Sequence, residues 1–120
     1  MDIINILLVL LSVGFGLIGW LAPKYTMDTL DLKPGPTSMG SSEIRAASGA
    51  LFVGLGVGAF LLGDPVAYAM IGFAWGGAAI GRATSLVLDG QTRSKWIFFA
   101  VEIVVAVAAL WTNLGVDTGV

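Results

Sequence analysis

The sequence of 120 residues contains no cysteine and no histidine. Their absence excludes disulfides, thiol chemistry, iron–sulfur clusters, most zinc sites, histidine-ligated haem and the nucleophile pairs that need a histidine base. Catalysis would have to rely on carboxylates and arginines alone. We therefore expect a protein that is not an enzyme and that holds no metal and no cofactor.

Charge is also scarce, and apolar residues replace it. Only 12% of the residues are charged and 57% are hydrophobic, against about 25% and about 45–50% in ordinary soluble domains. The net charge is −2, and no basic stripe is present that would neutralise phosphates, so we expect no nucleic-acid partner. The apolar residues form long runs, which predicts an integral membrane protein surrounded by lipid.

Four runs are long enough to cross a bilayer, because twenty helical residues reach about 30 Å. The predicted fold is all-α: a polytopic membrane protein whose four-helix transmembrane bundle consists of two antiparallel hairpins in a single domain, 1–120. The start of the chain is acidic, so we interpret the first span as a retained helix and not a signal peptide. The predicted spans are 3–22, 43–62, 66–88 and 94–113.

The connections follow from turn residues. Gly63-Asp64-Pro65 predicts a tight turn, with Pro65 in the first turn of the next helix, and Asp89-Gly90 predicts the end of the third. Glu43 should lie in the first turn of the second helix. Residues 23–42 contain four helix-breaking positions, at Pro34, Gly35, Pro36 and Gly40. This segment is either an ordinary loop or one that lies on the membrane surface.

The cations predict the orientation. All six fall on the side of the loops that follow the first and third spans, at Lys24, Lys33, Arg45, Arg82, Arg93 and Lys95. The other side has only Asp2, Asp64 and Asp117. By the positive-inside rule, both loops should be cytoplasmic and both termini should face outward, the periplasmic side in a bacterium.

Small residues recur at every fourth position in two spans. Such stripes let helix backbones approach closely in lipid. We expect these helices to pack in the centre of the bundle or against a partner chain; glycines lining a substrate path are the alternative. The predicted packing residues are Ala46, Ala50, Gly54 and Gly58 in the second span, and Gly77 and Gly81 in the third.

Charged residues inside the spans are the least expected feature. Arg82 should lie about 9 Å and Glu102 about 12 Å from the cytoplasmic helix ends, so the two can pair. The predicted intramembrane charge network is Glu43, Arg45, Arg82, Asp89 and Glu102. It is a structural ion network, a site for an anionic headgroup or small anion, or a route for proton or cation coupling through Glu102.

One aromatic residue, Trp75, should lie near the bilayer midplane. Its side chain is either part of the bundle core, lipid-facing, or a wall that stacks on an apolar ligand.

The order of charged and glycine residues resembles a family of small four-span bacterial inner-membrane proteins classed as a domain of unknown function. The pattern is Glu43-Ile44-Arg45-Ala46, Gly49, Gly54-x-Gly56, Gly81-Arg82, Asp89-Gly90 and Glu102. The resemblance implies a bacterial inner-membrane protein and no mechanism. The small multidrug exporters also have four spans, but the carboxylate that they need in the first span is missing here.

Two functions remain open. The leading hypothesis is a non-catalytic accessory or structural subunit that packs in a homo-oligomer or a larger membrane assembly. The alternative is binding or transport of a lipid, quinone-like or small anionic molecule through an inner-leaflet site with Arg45, Arg82 and Glu102, and with Trp75 deeper.

Overall fold

The computed structural model describes residues 2–114, and within this range the chain is helical without β-strands. The predicted all-α fold class is confirmed. Asp117, used above in the orientation argument, lies outside the described residues. The helices are α1 (Ile3–Leu21), α2 (Pro23–Thr29), α3 (Met39–Leu62), α4 (Pro65–Leu88) and α5 (Arg93–Leu114).

Four of these helices, α1, α3, α4 and α5, are long and apolar enough to cross a membrane. Only 22–28% of their apolar windows is buried inside the protein, and large apolar side chains such as Leu61 and Val87 point outward. A soluble monomer rarely exposes so much contiguous apolar surface, whereas lipid tails accommodate it. The chain is therefore a multi-pass membrane protein, while the arrangement into two antiparallel hairpins stays a prediction.

The predicted turn residues have the expected roles. Gly63 has a φ of +64°, a conformation that glycine adopts without steric cost. The carboxylate of Asp64 accepts a hydrogen bond of 2.8 Å from the backbone N–H of Val66 and so caps α4. At the other end, α4 stops at Leu88 and Gly90 has a φ of +91°.

The start of α3 differs from the prediction. The helix begins at Met39, so Glu43 lies beyond its first turn, and the prediction that this carboxylate meets the helix dipole there is wrong. The helix thus begins four residues before the predicted start at residue 43, and the Thr37 hydroxyl accepts a 3.3 Å hydrogen bond from the Met39 N–H. Gly40 is the second residue of the helix; a glycine keeps its backbone hydrogen-bonding groups and costs the helix only backbone entropy.

The second difference lies inside α3. Residues Ala46–Ala50 form a π-helical segment directly after Arg45, and no pattern in the sequence predicts it. Residues 23–42 are also partly helical, since Pro23–Thr29 form α2. Pro23 lies at the start of this helix, where a proline is well tolerated.

The described residues divide into two compact units. The C-terminal unit contains residues 2–8 and 62–114, and therefore the start of α1 with α4 and α5. The central unit contains residues 9–61, and therefore the rest of α1 with α2 and α3. The prediction of a single domain over 1–120 stays a prediction.

Candidate functional site

Arg82 of α4 and Glu102 of α5 form a bidentate ion pair in the C-terminal unit. Arg82 Nη2 donates to Glu102 Oε2 at 2.9 Å and Nε donates to Oε1 at 3.2 Å. The guanidinium carbon also lies 5.4 Å from the centre of the Phe98 ring, within cation–π range. This fork geometry fixes both side chains and is the strongest form of arginine–carboxylate contact.

The two partners differ in exposure. The Glu102 side chain is only 10% exposed, whereas the Arg82 side chain is 31% exposed. The surroundings can therefore reach the pair from the side of the arginine. Arg82 has three N–H donors in addition to the two that bind Glu102. The carboxylate depends on Arg82 for charge compensation, while the arginine has other contacts.

Close packing between α4 and α5 brings the pair together. A Cβ on Gly72 would lie 2.8 Å from Leu110 and 2.9 Å from Ala109, and one on Gly76 would lie 3.6 Å from Ala106. The contacts run in opposite directions along the two helices: Gly76 comes after Gly72 in α4, whereas Ala106 comes before Leu110 in α5. The turn of α4 that contains Arg82 therefore faces an earlier turn of α5, the one that contains Glu102. Small residues at this contact let the helices approach closely enough for a direct ion pair.

Asp89, the third predicted member of the network in this unit, lies at the end of α4. Its backbone N–H donates 2.8 Å to the Ser85 carbonyl, and the residue is exposed. Within residues 62–114, the ion pair at Arg82 involves Glu102 and not Asp89. Asp89 thus ends a helix in the structure and does not share the arginine.

Arg45 and Glu43 lie in the central unit. Arg45 Nη1 donates a 2.7 Å hydrogen bond to the backbone carbonyl of Trp20, and Glu43 is exposed. The network of five groups as a whole stays a prediction, because its members are divided between two units that are described separately.

In the central unit, two glycines of α3 outside the predicted packing set lie close to a neighbouring helix, Gly49 and Gly56. A Cβ on Gly49 would lie 2.5 Å from the backbone nitrogen of Trp20, and one on Gly56 would lie 2.6 Å from the Val13 side chain. By contrast, a Cβ on Gly54 or Gly58 would meet no atom of residues 2–114 within 4 Å. The close contacts between α1 and α3 are thus made by glycines on another face of α3.

The same holds in the C-terminal unit. Gly72 and Gly76 contact α5, whereas a Cβ on Gly77 or Gly81 would have no neighbour within 4 Å in the part of the chain that the structure describes. Ala46 is exposed and Ala50 is partly exposed. No described atom lies within 4 Å of a Cβ on Gly54, Gly58, Gly77 or Gly81, and the role of the predicted stripes in helix packing stays a prediction.

Trp75 of α4 is buried, with 5% of its surface exposed. That is the environment of a core side chain, one of the alternatives that the sequence left open. Its role as the wall of a ligand site stays a prediction.

Sequence reasoning missed a buried amide pair. Asn5 and Asn113 exchange two side-chain hydrogen bonds of 2.9 and 2.8 Å, and Asn113 also donates to the Ala109 carbonyl at 2.8 Å. Both residues are almost fully buried. The sequence could have predicted this contact, because the two asparagines lie near span ends on the same predicted side of the membrane.

It also missed the polar contact of the central unit. The Ser12 hydroxyl is fully buried and donates 2.8 Å to the Phe52 carbonyl, which joins α1 to α3. Gly16 adjoins this contact, since a Cβ there would lie 2.6 Å from the Gly49 carbonyl oxygen. Serine and glycine one turn apart in an apolar run are a recognisable signal for a helix contact.

The described residues contain no group of three acidic side chains arranged as metal ligands. The chemistry that the arrangement supports is electrostatic: a fixed ion pair at Arg82, a buried amide pair at Asn5, and an arginine with unused donors at Arg45. Each of these can orient helices or hold a polar ligand.

The search of curated proteins and the search of solved structures find no match to this chain. One family model does match, over residues 1–113, and so includes the first span as well as the charged pattern. Because the match covers nearly the whole chain, the protein belongs to the family described as Domain of unknown function (DUF4345).

Proposed function

We propose that the protein is a non-catalytic accessory or structural subunit whose spans pack against a second copy or a larger membrane assembly. The observation that carries the proposal is the open space beside four helical glycines, at Gly54, Gly58, Gly77 and Gly81. All four lie on helices long and apolar enough to cross a membrane.

A glycine inside a helix costs about 1 kcal/mol relative to alanine. Gly49 and Gly72 offset this cost by close contacts inside the chain, since a Cβ there would collide with the neighbouring helix. Gly54 and Gly58, in contrast, have no such contact and occupy one face of α3 at a spacing of four. In lipid, small residues at this spacing gain stability by allowing a second helix to approach closely.

We further propose that this subunit resides in the bacterial inner membrane, with both termini on the periplasmic side. The support is the placement of all six cations in or beside the two loops that would be cytoplasmic. On this orientation the Arg82–Glu102 pair lies towards the inner leaflet. Lipids are the surrounding partner, and no nucleic acid is expected.

Association is tested by purification in a mild detergent followed by light scattering. The wild-type protein should elute with the mass of at least two chains, or with a second protein. The double variant Gly54→Leu/Gly58→Leu should release a single chain. Gly14→Leu is the matched control, since Gly14 also has open space at its Cβ position but lies outside both stripes. A wild-type protein that elutes as a lone monomer contradicts the proposal.

A second candidate function is binding or transport of a lipid, quinone-like or small anionic molecule through an inner-leaflet Arg/Glu site. It is favoured by the unused donors of the partly exposed Arg82 and by those of Arg45. If Arg82 and Glu102 serve a ligand, then Arg82→Ala and Glu102→Gln should abolish its co-purification while the helical content persists. Loss of stability without any co-purified ligand in the wild type would favour a structural ion pair.

A further inference from the structure

The central unit contains a shallow, largely open cavity of about 510 Å³ at the start of α3. Its lining combines one guanidinium, three hydroxyls, one indole and two methyl groups. The lining residues are Trp20, Ser38, Ser41, Ser42, Arg45, Ala46 and Ala50. An arginine among hydroxyls on a membrane helix is an unusual surface, because apolar side chains cover most of α3 elsewhere.

Arg45 is exposed at this cavity, where one hydrogen bond holds it and no described charge neutralises it. One N–H of its guanidinium donates 2.7 Å to the Trp20 carbonyl, and an arginine has five such donors. In the described residues 9–61, no carboxylate lies within ion-pair distance of Arg45. Glu43 is two positions away on the same helix, where side chains do not face each other.

The backbone of α3 is irregular beside the same cavity. The π-helical segment Ala46–Ala50 begins immediately after Arg45, and its first and last residues both line the cavity. A π-helical turn inserts an extra residue into the helix and changes the direction of the side chains before it. Such turns occur frequently at functional sites.

The three serines are suited to an oxyanion and not to a neutral apolar ligand. Each hydroxyl can donate one hydrogen bond, and the guanidinium fork matches the oxygens of a phosphate group. Trp20, Ala46 and Ala50 provide an apolar wall beside these donors. An indole next to an arginine is typical of the zone where lipid headgroups meet hydrocarbon.

We infer that this cavity binds a phosphate group, which Arg45 holds by charge-assisted hydrogen bonds and the serine hydroxyls orient. The inference rests on the second candidate function in its general form, an inner-leaflet site for an anionic molecule, and assigns that site to Arg45 and the serines of the central unit. The phosphate comes either from the headgroup of an anionic phospholipid or from free phosphate. Arg82 and Glu102 are not required for it.

The experiment measures dissociation constants for the full chain in a neutral detergent by isothermal titration calorimetry. The three probes are dioctanoyl phosphatidylglycerol, inorganic phosphate and dioctanoylglycerol, which has the same tails without a phosphate. Binding of phosphatidylglycerol alone identifies a headgroup site, whereas competition by inorganic phosphate identifies a site for the free anion. Dioctanoylglycerol should bind no better to the wild type than to any variant.

Arg45→Gln should weaken binding of the phosphate-bearing probe at least about fivefold, which corresponds to about 1 kcal/mol per basic residue near a membrane surface. Arg93→Gln removes the same charge from an exposed position that does not line the cavity, so it should change the constant less than twofold. The double variant Ser41→Ala/Ser42→Ala keeps the charge and should weaken binding at least twofold. Circular dichroism verifies that each variant remains helical.

Two results overturn the inference in distinguishable ways. If neither phosphate-bearing probe binds the wild type, this inference fails, and the second candidate function keeps only ligands without a phosphate group. If a phosphate-bearing probe binds but Arg45→Gln and Arg93→Gln weaken it equally, or not at all, the ligand class survives and the assignment to this cavity fails.

Discussion

Removal of one partner of the Arg82–Glu102 pair should destabilise the protein asymmetrically. Arg82→Met leaves a carboxylate whose side chain is only 10% exposed, whereas Glu102→Met leaves a guanidinium that is 31% exposed and lies over the Phe98 ring. Breaking a buried pair costs about 3–5 kcal/mol. Because Arg82 is partly open, we expect about 3 kcal/mol for Arg82→Met and about 1.5 kcal/mol for Glu102→Met.

The double variant Arg82→Met/Glu102→Met should recover most of this loss. Two unbranched apolar side chains of similar length replace the pair without leaving a charge, and such replacements are often neutral. We expect the double variant to lie within about 1 kcal/mol of the wild type. The two single costs together then exceed the double cost by about 3.5 kcal/mol or more, which is the coupling energy of the cycle.

The assay is equilibrium unfolding in mixed micelles with an increasing fraction of dodecyl sulfate, followed by fluorescence of the four tryptophans. Arg93→Met is the control, because Arg93 is exposed and belongs to the same helix as Glu102. Additive single effects, or an Arg82→Met cost no larger than that of Arg93→Met, would refute the view that Glu102 depends on Arg82.

Two further predictions use matched positions. Gly16→Ala should cost about 1–3 kcal/mol in the same unfolding assay, because its Cβ would lie 2.6 Å from the Gly49 carbonyl oxygen. A Cβ on Gly14 would meet no described atom within 4 Å, so Gly14→Ala should be neutral or slightly stabilising. Equal costs for the two variants would contradict the close contact between α1 and α3. The cysteine-free background allows Asp64→Cys to be labelled in spheroplasts by a membrane-impermeant maleimide, while Thr37→Cys should react only after lysis; the reverse pattern would invert the proposed orientation.

The number and type of spans could be predicted from the sequence because they depend on composition and length alone. Hydrocarbon requires apolar side chains over about 20 residues, and the helices at 3–21 and 93–114 match that requirement closely. The turns at Gly63 and Gly90 were equally accessible, since a positive φ strongly favours glycine. The pairing of Arg82 with Glu102 followed from depth, which is a matter of counting residues from helix ends.

The contact faces could not be predicted in the same way. Glycines occur on more than one face of α3, and the sequence does not say which face meets α1; the structure places Gly49 and Gly56 there and leaves Gly54 open. The π-helical segment after Arg45 also turns that residue in a way that a regular helix would not. A shift of one residue in helical periodicity moves a side chain by about 100°, so small irregularities decide what lies together.

The central claim is that the open face of α3 packs against another helix. Its most direct test is cross-linking in native membranes, where Gly58→Cys places a thiol on the open face and Phe60→Cys places one on an exposed position about 200° away. Oxidation should join Gly58→Cys chains into dimers while Phe60→Cys stays monomeric, or a bifunctional maleimide should join Gly58→Cys to a second protein. Absence of any Gly58→Cys product, or equal products from both variants, would contradict the claim.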